Sequence, residues 1–201
     1  MFTLHQEKLF ELDQAQNQEF LYDLVYEIIK ENPALKLNGQ FNELVKPVQK
    51  LIDKYLKKGI NQINTLKYMV KSHVYLGINY ENDPHFAWIK TEMEGFNIED
   101  QLTYVDAFYD LLEGYKRKVV GKDFSFFIEA IDRLVMVTSD IKRLDLLEKI
   151  YPKKTNYLNS IDNLNLDVSR LLSDKIYCEE FVLGFDFKNN IFIKNIYGLE
   201  V

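Results

Sequence analysis

The sequence predicts a mainly α-helical fold, a multi-helix bundle with a C-terminal β-hairpin packed on the helices. Apolar residues recur at helical spacing along most of the 201-residue chain. Glycine and proline number only 8 and 4, which disfavours an all-β fold with many tight turns. Near the C-terminus the apolar positions alternate instead, as they do in strands.

The helical pattern is clearest from Phe20 to Ile29, where apolar pairs repeat every four residues and define one face of a helix. Thr3 is a suitable N-cap ahead of a first helix. Pro33 ends the helical segment that contains Phe20 to Ile29. Pro47 lies in a second helical segment, where we expect it to kink the helix or to move its start. The complete set of further predicted helices is 41–57, 62–76, 86–93, 99–118, 124–135, 141–150 and 157–172.

Two short segments with alternating apolar residues predict the hairpin. They contain Phe181, Leu183, Phe185 and Phe187, followed by Ile191 and Ile193. A three-residue loop at 188–190 places Phe187 opposite Ile191 and Phe185 opposite Ile193, so that all four side chains share one face. Because an isolated hairpin is marginally stable in water, this one is expected to pack on the helices.

The chain is long enough for one large domain or two small ones, with a substantial hydrophobic core in either case. Gly121 marks the single candidate boundary. It divides the sequence into an N-terminal helical domain at 1–120 and a C-terminal part at 121–201 that carries the hairpin. The two parts can equally form one compact unit.

Charge and cysteine content exclude several classes of protein. The net charge is −6 and the isoelectric point about 5.2, whereas nucleic-acid-binding domains are usually basic. The N-terminus lacks the basic and apolar regions of a signal peptide, and the apolar runs are far too short to span a bilayer. Together with the single cysteine, Cys178, these features predict a cytoplasmic protein that binds neither nucleic acid nor membrane.

The common catalytic signatures are absent from the sequence, which contains no phosphate-binding glycine loop, no His-Glu-x-x-His and no Gly-x-Ser-x-Gly. His73 shares a helical face with apolar residues, which is typical of a core histidine. Glu81, Asp83 and His85 alternate in one loop and could bind a divalent metal, although capping of the next helix explains them equally well. We therefore predict a non-enzymatic protein with no catalytic, cofactor-binding or metal-binding residue.

Two surface features are candidates for partner binding. Lys46, Lys50, Lys54 and Lys58 are spaced four apart and form a basic stripe on one helix. This stripe is either a solvated face, on which Asp53 reduces the repulsion between the lysines, or a docking surface for an acidic protein. Tyr22 and Tyr26 also stand four apart, slightly off the apolar stripe of their helix, and tyrosine is enriched at the centres of protein interfaces.

The first 120 residues carry a recognisable order of positions, namely Thr3-Leu4, Phe20, Leu24-Val25, Pro33, Leu44, Tyr55, Gly59-Ile60, Tyr68, Leu76-Gly77, Tyr80, Asp83-Pro84, Trp88, Asp106 and Tyr109. This set of positions resembles a family of small helical bacterial proteins encoded beside type VI secretion spike and effector genes. The match covers a little over half of the chain and includes no catalytic motif.

This resemblance implies a protein that acts by binding another protein, a secreted effector or a spike component. The first hypothesis is a chaperone or adaptor for a type VI secretion effector. The alternative is an immunity protein that neutralises a toxin acting in the cytoplasm. A third hypothesis, an enzyme of unrecognised type, requires that His73 or His85 face a cleft in the fold.

Overall fold

The computed structural model describes residues 14–136, 149–161, 175–184 and 190–192, and these ranges are mainly helical. The α-helices are α1 (Gln14–Glu31), α2 (Phe41–Lys57), α3 (Ile63–Leu76), α4 (Ala87–Met93), α5 (Gln101–Tyr115), α6 (Ser125–Met136), α7 (Pro152–Asn159) and α8 (Lys175–Leu183). The prediction for α2 is confirmed at both of its bounds. Pro47 lies inside this helix without moving its start.

Short turns of other helical types connect these elements. The 3-10 turns are Pro33–Leu35, Leu37–Gln40, Tyr80–Asn82, Pro84–Phe86 and Lys122–Phe124. A π-helical turn, Lys116–Val120, continues α5 directly and is closed by a 2.8 Å hydrogen bond from the Gly121 N–H to the Lys116 carbonyl.

Helix α2 packs against α1 and α3, and α3 also packs against α5. Ion pairs join α1 to α3, because Lys67 binds Glu27 at 2.7 Å and Lys71 binds Glu31 at 2.8 Å. The Gln101 side chain joins the start of α5 to the α2–α3 loop. Its amide oxygen accepts hydrogen bonds from the backbone of residues 61 and 62 at 3.0 Å.

One hydrophobic core joins these helices and includes residues on both sides of Gly121. Leu24, Val25 and Ile28 of α1 are fully buried, as their four-residue spacing predicts. The helix after Gly121 contributes Ala130 and Ile131 to the same core. In the part of the chain that the structure describes, no helix has both the length and the apolar character needed to cross a membrane.

The predicted start of the C-terminal hairpin is wrong. Phe181 and Leu183 lie in α8, and Ile191 lies in a turn. The described ranges contain no strand, and Phe185, Phe187 and Ile193 fall outside them. Phe181, Val182 and Leu183 are consecutive and all buried, so the end of α8 is enclosed on more than one side. Alternation of apolar residues is then no longer a guide to the backbone.

The final part of the predicted helix pattern is also corrected. Helix α7 begins at Pro152, five residues before the predicted start at Tyr157. Proline is favoured at the first helical position, since its missing N–H has no partner there. Residues 162–174 and most of the segment predicted at 141–150 lie outside the described ranges.

A buried lysine connects α7 to α8. Lys154 is 2% exposed, and its Nζ donates a 2.6 Å hydrogen bond to the Phe181 carbonyl in the last turn of α8. The ammonium also lies 5.1 Å from the centre of the Phe86 ring and 4.9 Å from that of Phe181. A cation at a helix C-terminus satisfies orphan carbonyls and interacts favourably with the helix dipole. Burial nevertheless lowers the pKa of Lys154 to about 8, and the nearby Asp83 opposes this shift.

Raising the pH from 7 to 9 should increase the free energy of unfolding through Lys154 by about 1 kcal/mol. Its pKa in the folded protein, about 8, lies below the ordinary value of 10.5. Between those values the unfolded chain binds more protons, so stability rises with pH. Urea unfolding at pH 7, 8 and 9 should show this rise in the wild type and in the exposed-site control Lys153→Met. In Lys154→Met the rise should be absent, and equal slopes in all three proteins would contradict the assignment.

Candidate functional site

An open groove of about 580 Å³ lies between the C-terminal end of α2, the 3-10 turns before α4, and the helices α4 and α5. We call it the α4 groove. Its apolar lining consists of Ile60, Met69, Phe86, Ile89, Met93, Ile98 and Phe108. The volume lies within the range of about 300–1,000 Å³ that is typical of ligand sites.

The segment between α3 and α4 shapes one wall of the groove. Helix α3 ends at Gly77, whose φ of +93° suits glycine, and the Gly77 N–H binds the His73 carbonyl. Asp83 then caps the next turn, since its carboxylate accepts a 2.9 Å hydrogen bond from the His85 N–H. Pro84 occupies the first position of that turn, where its fixed φ is favourable. These contacts hold Glu81 at the edge of the groove.

A buried hydrogen-bonded network lies behind the polar end of the groove. His73 is fully buried, and its Nδ1 lies 3.0 Å from the Gly77 carbonyl, which can only accept. Nδ1 therefore carries the proton, and Nε2 accepts a 2.9 Å hydrogen bond from the Tyr55 hydroxyl. The Tyr80 hydroxyl lies 3.4 Å from that of Tyr55. The network fixes the orientation of both phenol rings that line the groove.

Glu81 joins this network to two lysines of α2. Its carboxylate lies 3.0 Å from Lys58 Nζ and 3.1 Å from Lys54 Nζ. Burial raises the pKa of the Glu81 carboxyl, but the hydrogen bond from Lys58 and the charge of Lys54 outweigh it, so that the pKa lies below its ordinary value. Two ammonium groups thus share one carboxylate at this end of the groove.

The other titratable groups of the network are held in their neutral forms. Burial lowers the pKa of His73 to about 3, and the charge of Lys54 acts in the same direction. Burial raises the pKa of Tyr55 well above its ordinary value, and that of Tyr80 also rises. A neutral imidazole and two protonated phenols provide shape and hydrogen bonding at neutral pH.

The possible metal ligands among the loop residues do not converge on one point. Glu81 binds the two lysines, whereas Asp83 Oδ1 lies 2.7 Å from His85 Nδ1. Across the described ranges, no group of three histidine, cysteine or acidic residues is placed to hold a metal ion. Neither His73 nor His85 lines the α4 groove, and His73 reaches it only through Tyr55.

The structure separates the predicted partner-binding residues into two regions. Tyr22 and Tyr26 are exposed on α1 by 41% and 61%, and the Tyr22 ring packs edge-on at 5.7 Å from Phe41. Phe41 is the first residue of α2, so Lys58 lies about 25 Å further along the helix axis. Lys58 lines the α4 groove and Lys54 stands beside it.

The remaining two lysines of the stripe, Lys46 and Lys50, are exposed on α2 and precede the groove. The structure therefore brings together Lys54 and Lys58 around Glu81, and it does not gather all six predicted residues at one site.

Sequence reasoning missed the apolar part of the groove. Ile89 and Met93 stand four apart on α4, a spacing that predicts an ordinary core face. Both are largely buried, and both also line the groove. No local pattern distinguishes such residues from core residues.

The α4 groove combines an apolar lining, two protonated phenols and a lysine pair that shares one carboxylate. No protein-family model, curated protein or solved structure matches the chain.

Proposed function

We propose that this protein is a non-catalytic binding protein, a chaperone or adaptor for a type VI secretion effector, and that the α4 groove holds a segment of its partner. The observation that carries the proposal is an open apolar groove with a polar end, where Lys54 and Lys58 share the carboxylate of Glu81. The resemblance of the first 120 residues to proteins encoded beside effector genes supplies the class of partner.

The composition of the groove favours recognition of a protein segment. Met69 and Met93 line it, and methionine side chains adapt their shape at binding surfaces that accept varied partners. Ile89 and Ile98 add rigid apolar area. An amphipathic helix or extended segment commonly binds to a surface of this kind through a few apolar anchors.

The proposal is tested by locating the partner on the protein surface in the native host. A photo-reactive phenylalanine derivative is introduced at Ala87 or Lys90, which are exposed residues of the groove wall. The same group at Lys50 and Tyr26 probes the other two candidate surfaces. Cross-linking of an effector or spike protein from the groove positions supports the proposal. Cross-linking only from Lys50 or Tyr26 overturns the groove as the binding site.

Replacement of Ala87 by glutamate should weaken binding of the cross-linked partner at least ten-fold. The change introduces a charge into an apolar contact at the first residue of α4, where an acidic residue is favourable for the helix itself. Thr91→Glu is the matched control, since Thr91 is exposed on the same helix and does not line the groove. Equal affinities for the two variants, measured by calorimetry, would contradict the proposal.

The activity of the bound partner separates the chaperone from the immunity protein. A chaperone leaves the toxin active after release and promotes its secretion. An immunity protein abolishes toxicity when the pair is produced in one cell. Turnover of a small molecule by the isolated protein would instead favour the enzyme hypothesis.

A further inference from the structure

We infer that the segment held in the α4 groove carries an aspartate or glutamate beside its apolar anchors, and that Lys54 and Lys58 bind this carboxylate. This inference rests on the proposed function and specifies the chemistry of the partner. It commits to a protein segment as the occupant of the groove.

The first argument is the local charge. At the polar end of the groove, the two positive charges of Lys54 and Lys58 share the single carboxylate of Glu81, whereas the whole chain carries a net charge of −6. Lys57 is exposed next to the lysine pair. An excess of positive charge at one end of the groove, on an otherwise acidic protein, attracts an acidic partner and repels a basic one.

The second argument is the number of hydrogen-bond donors at the polar end of the groove. Each ammonium group has three N–H donors, and Glu81 supplies one carboxylate to both Lys54 and Lys58. Tyr104 also lines the groove, and burial and the charge of Glu81 raise its pKa, so that its hydroxyl stays protonated and can donate. A second carboxylate would complete this set of donors with charge-assisted hydrogen bonds.

The third argument is the exposure of the groove wall. Its outer residues are exposed, namely Glu81, Asn82, Pro84, Ala87, Lys90 and Glu94. An occupant would therefore be covered on one side only. Sites for small molecules usually enclose most of the ligand surface, about 70–90%. An open groove suits a segment whose other side belongs to a larger protein.

The test uses random dodecapeptides displayed on phage and selected on the full-length protein, with removal of peptides that also bind Ala87→Glu. We expect the selected peptides to contain aspartate or glutamate within four residues of large apolar side chains. Their affinities are then measured by fluorescence polarisation with synthetic labelled copies. Binding should weaken as the salt concentration rises, because the contact is a partly exposed ion pair.

Two substitutions examine the lysine pair directly. Lys58→Gln should weaken binding of the selected peptides about ten-fold, because it removes a charge-assisted hydrogen bond. Glu81→Gln should strengthen binding about three-fold, because the lysines lose their competing carboxylate. Lys50→Gln, an exposed change on the same helix, should leave the affinity unchanged.

Several outcomes would overturn the inference, and they are distinguishable from failure of the proposed function. Peptides that need the groove but contain no acidic residue, or that bind Lys58→Gln as tightly as the wild type, overturn the carboxylate while leaving the groove as a binding site. If dodecanoate displaces the labelled peptides at a lower concentration than the unlabelled peptides do, the groove is assigned to a lipid carboxylate. Absence of any peptide that distinguishes the wild type from Ala87→Glu overturns the groove and the inference together.

Discussion

Alanine at position 121 should destabilise the protein by about 3 kcal/mol, a large effect for the addition of one methyl group. Gly121 has a φ of +80°, a conformation that residues with side chains rarely adopt. A Cβ atom there would lie 2.6 Å from Ser125 Oγ and 2.8 Å from the Phe126 ring. Backbone strain and steric overlap therefore act together. The free energy of unfolding in urea, followed by circular dichroism, measures the loss.

Gly114→Ala is the matched control. This glycine lies inside α5, and a Cβ atom there would have no neighbour within 4 Å. Alanine is favoured over glycine in a helix by about 0.5–1 kcal/mol, so this variant should be more stable than the wild type. If both substitutions changed stability by similar amounts in the same direction, the special role of Gly121 at the junction of α5 and α6 would be disproved.

Acidification from pH 7 to pH 4 should lower the free energy of unfolding by about 3 kcal/mol through His73 alone. Its pKa is about 3 in the folded protein and about 6.5 in the unfolded chain. Above pH 6.5 both states are neutral at this residue and the full stability is present. Below pH 6.5 the imidazole is protonated in the unfolded state but stays neutral in the folded state. The free energy of unfolding therefore falls progressively until the pH reaches the folded-state pKa.

The comparison protein is His73→Gln, which has polar atoms at this position but does not titrate. Its stability at pH 7 will be lower, so the quantity to compare is the change between pH 7 and pH 4. His85 and the paired carboxylates, whose pKa values are also lowered, contribute to acid unfolding in both proteins. Parallel stability curves for the two proteins over this pH range would refute the burial of a neutral His73.

The sequence predicted the helices of the first 136 residues well because each has one apolar face. Residues 41–57 are the clearest example, and the core residues Leu44, Val48 and Leu51 are all buried there. The core position of His73 was also predicted from its apolar neighbours. These features depend on local periodicity, which a single sequence contains.

The features that failed depend on contacts between distant segments. Phe181 is in a helix, where Lys154 binds its carbonyl from another element, so the alternation around it was misleading. For the lysine stripe, helical spacing did not reveal that Glu81 pairs with Lys54 and Lys58. The pairing depends on the turn after Gly77, which holds Glu81 in place. The helical spacing of the lysines carries no information about that turn.

The π-helical turn at Lys116–Val120 has a consequence for how the length of this chain can vary. A turn of this kind holds one more residue than an α-helical turn, and it places the adjacent Val119 and Val120 both in the core. Removal of one residue would restore regular α-helix and rotate everything beyond it by about 100°. Gly121 and α6 would then face a different direction. Substitutions at exposed Arg117 or Lys118 should be tolerated. Insertions and deletions in this turn would instead change which side chains after it face the core.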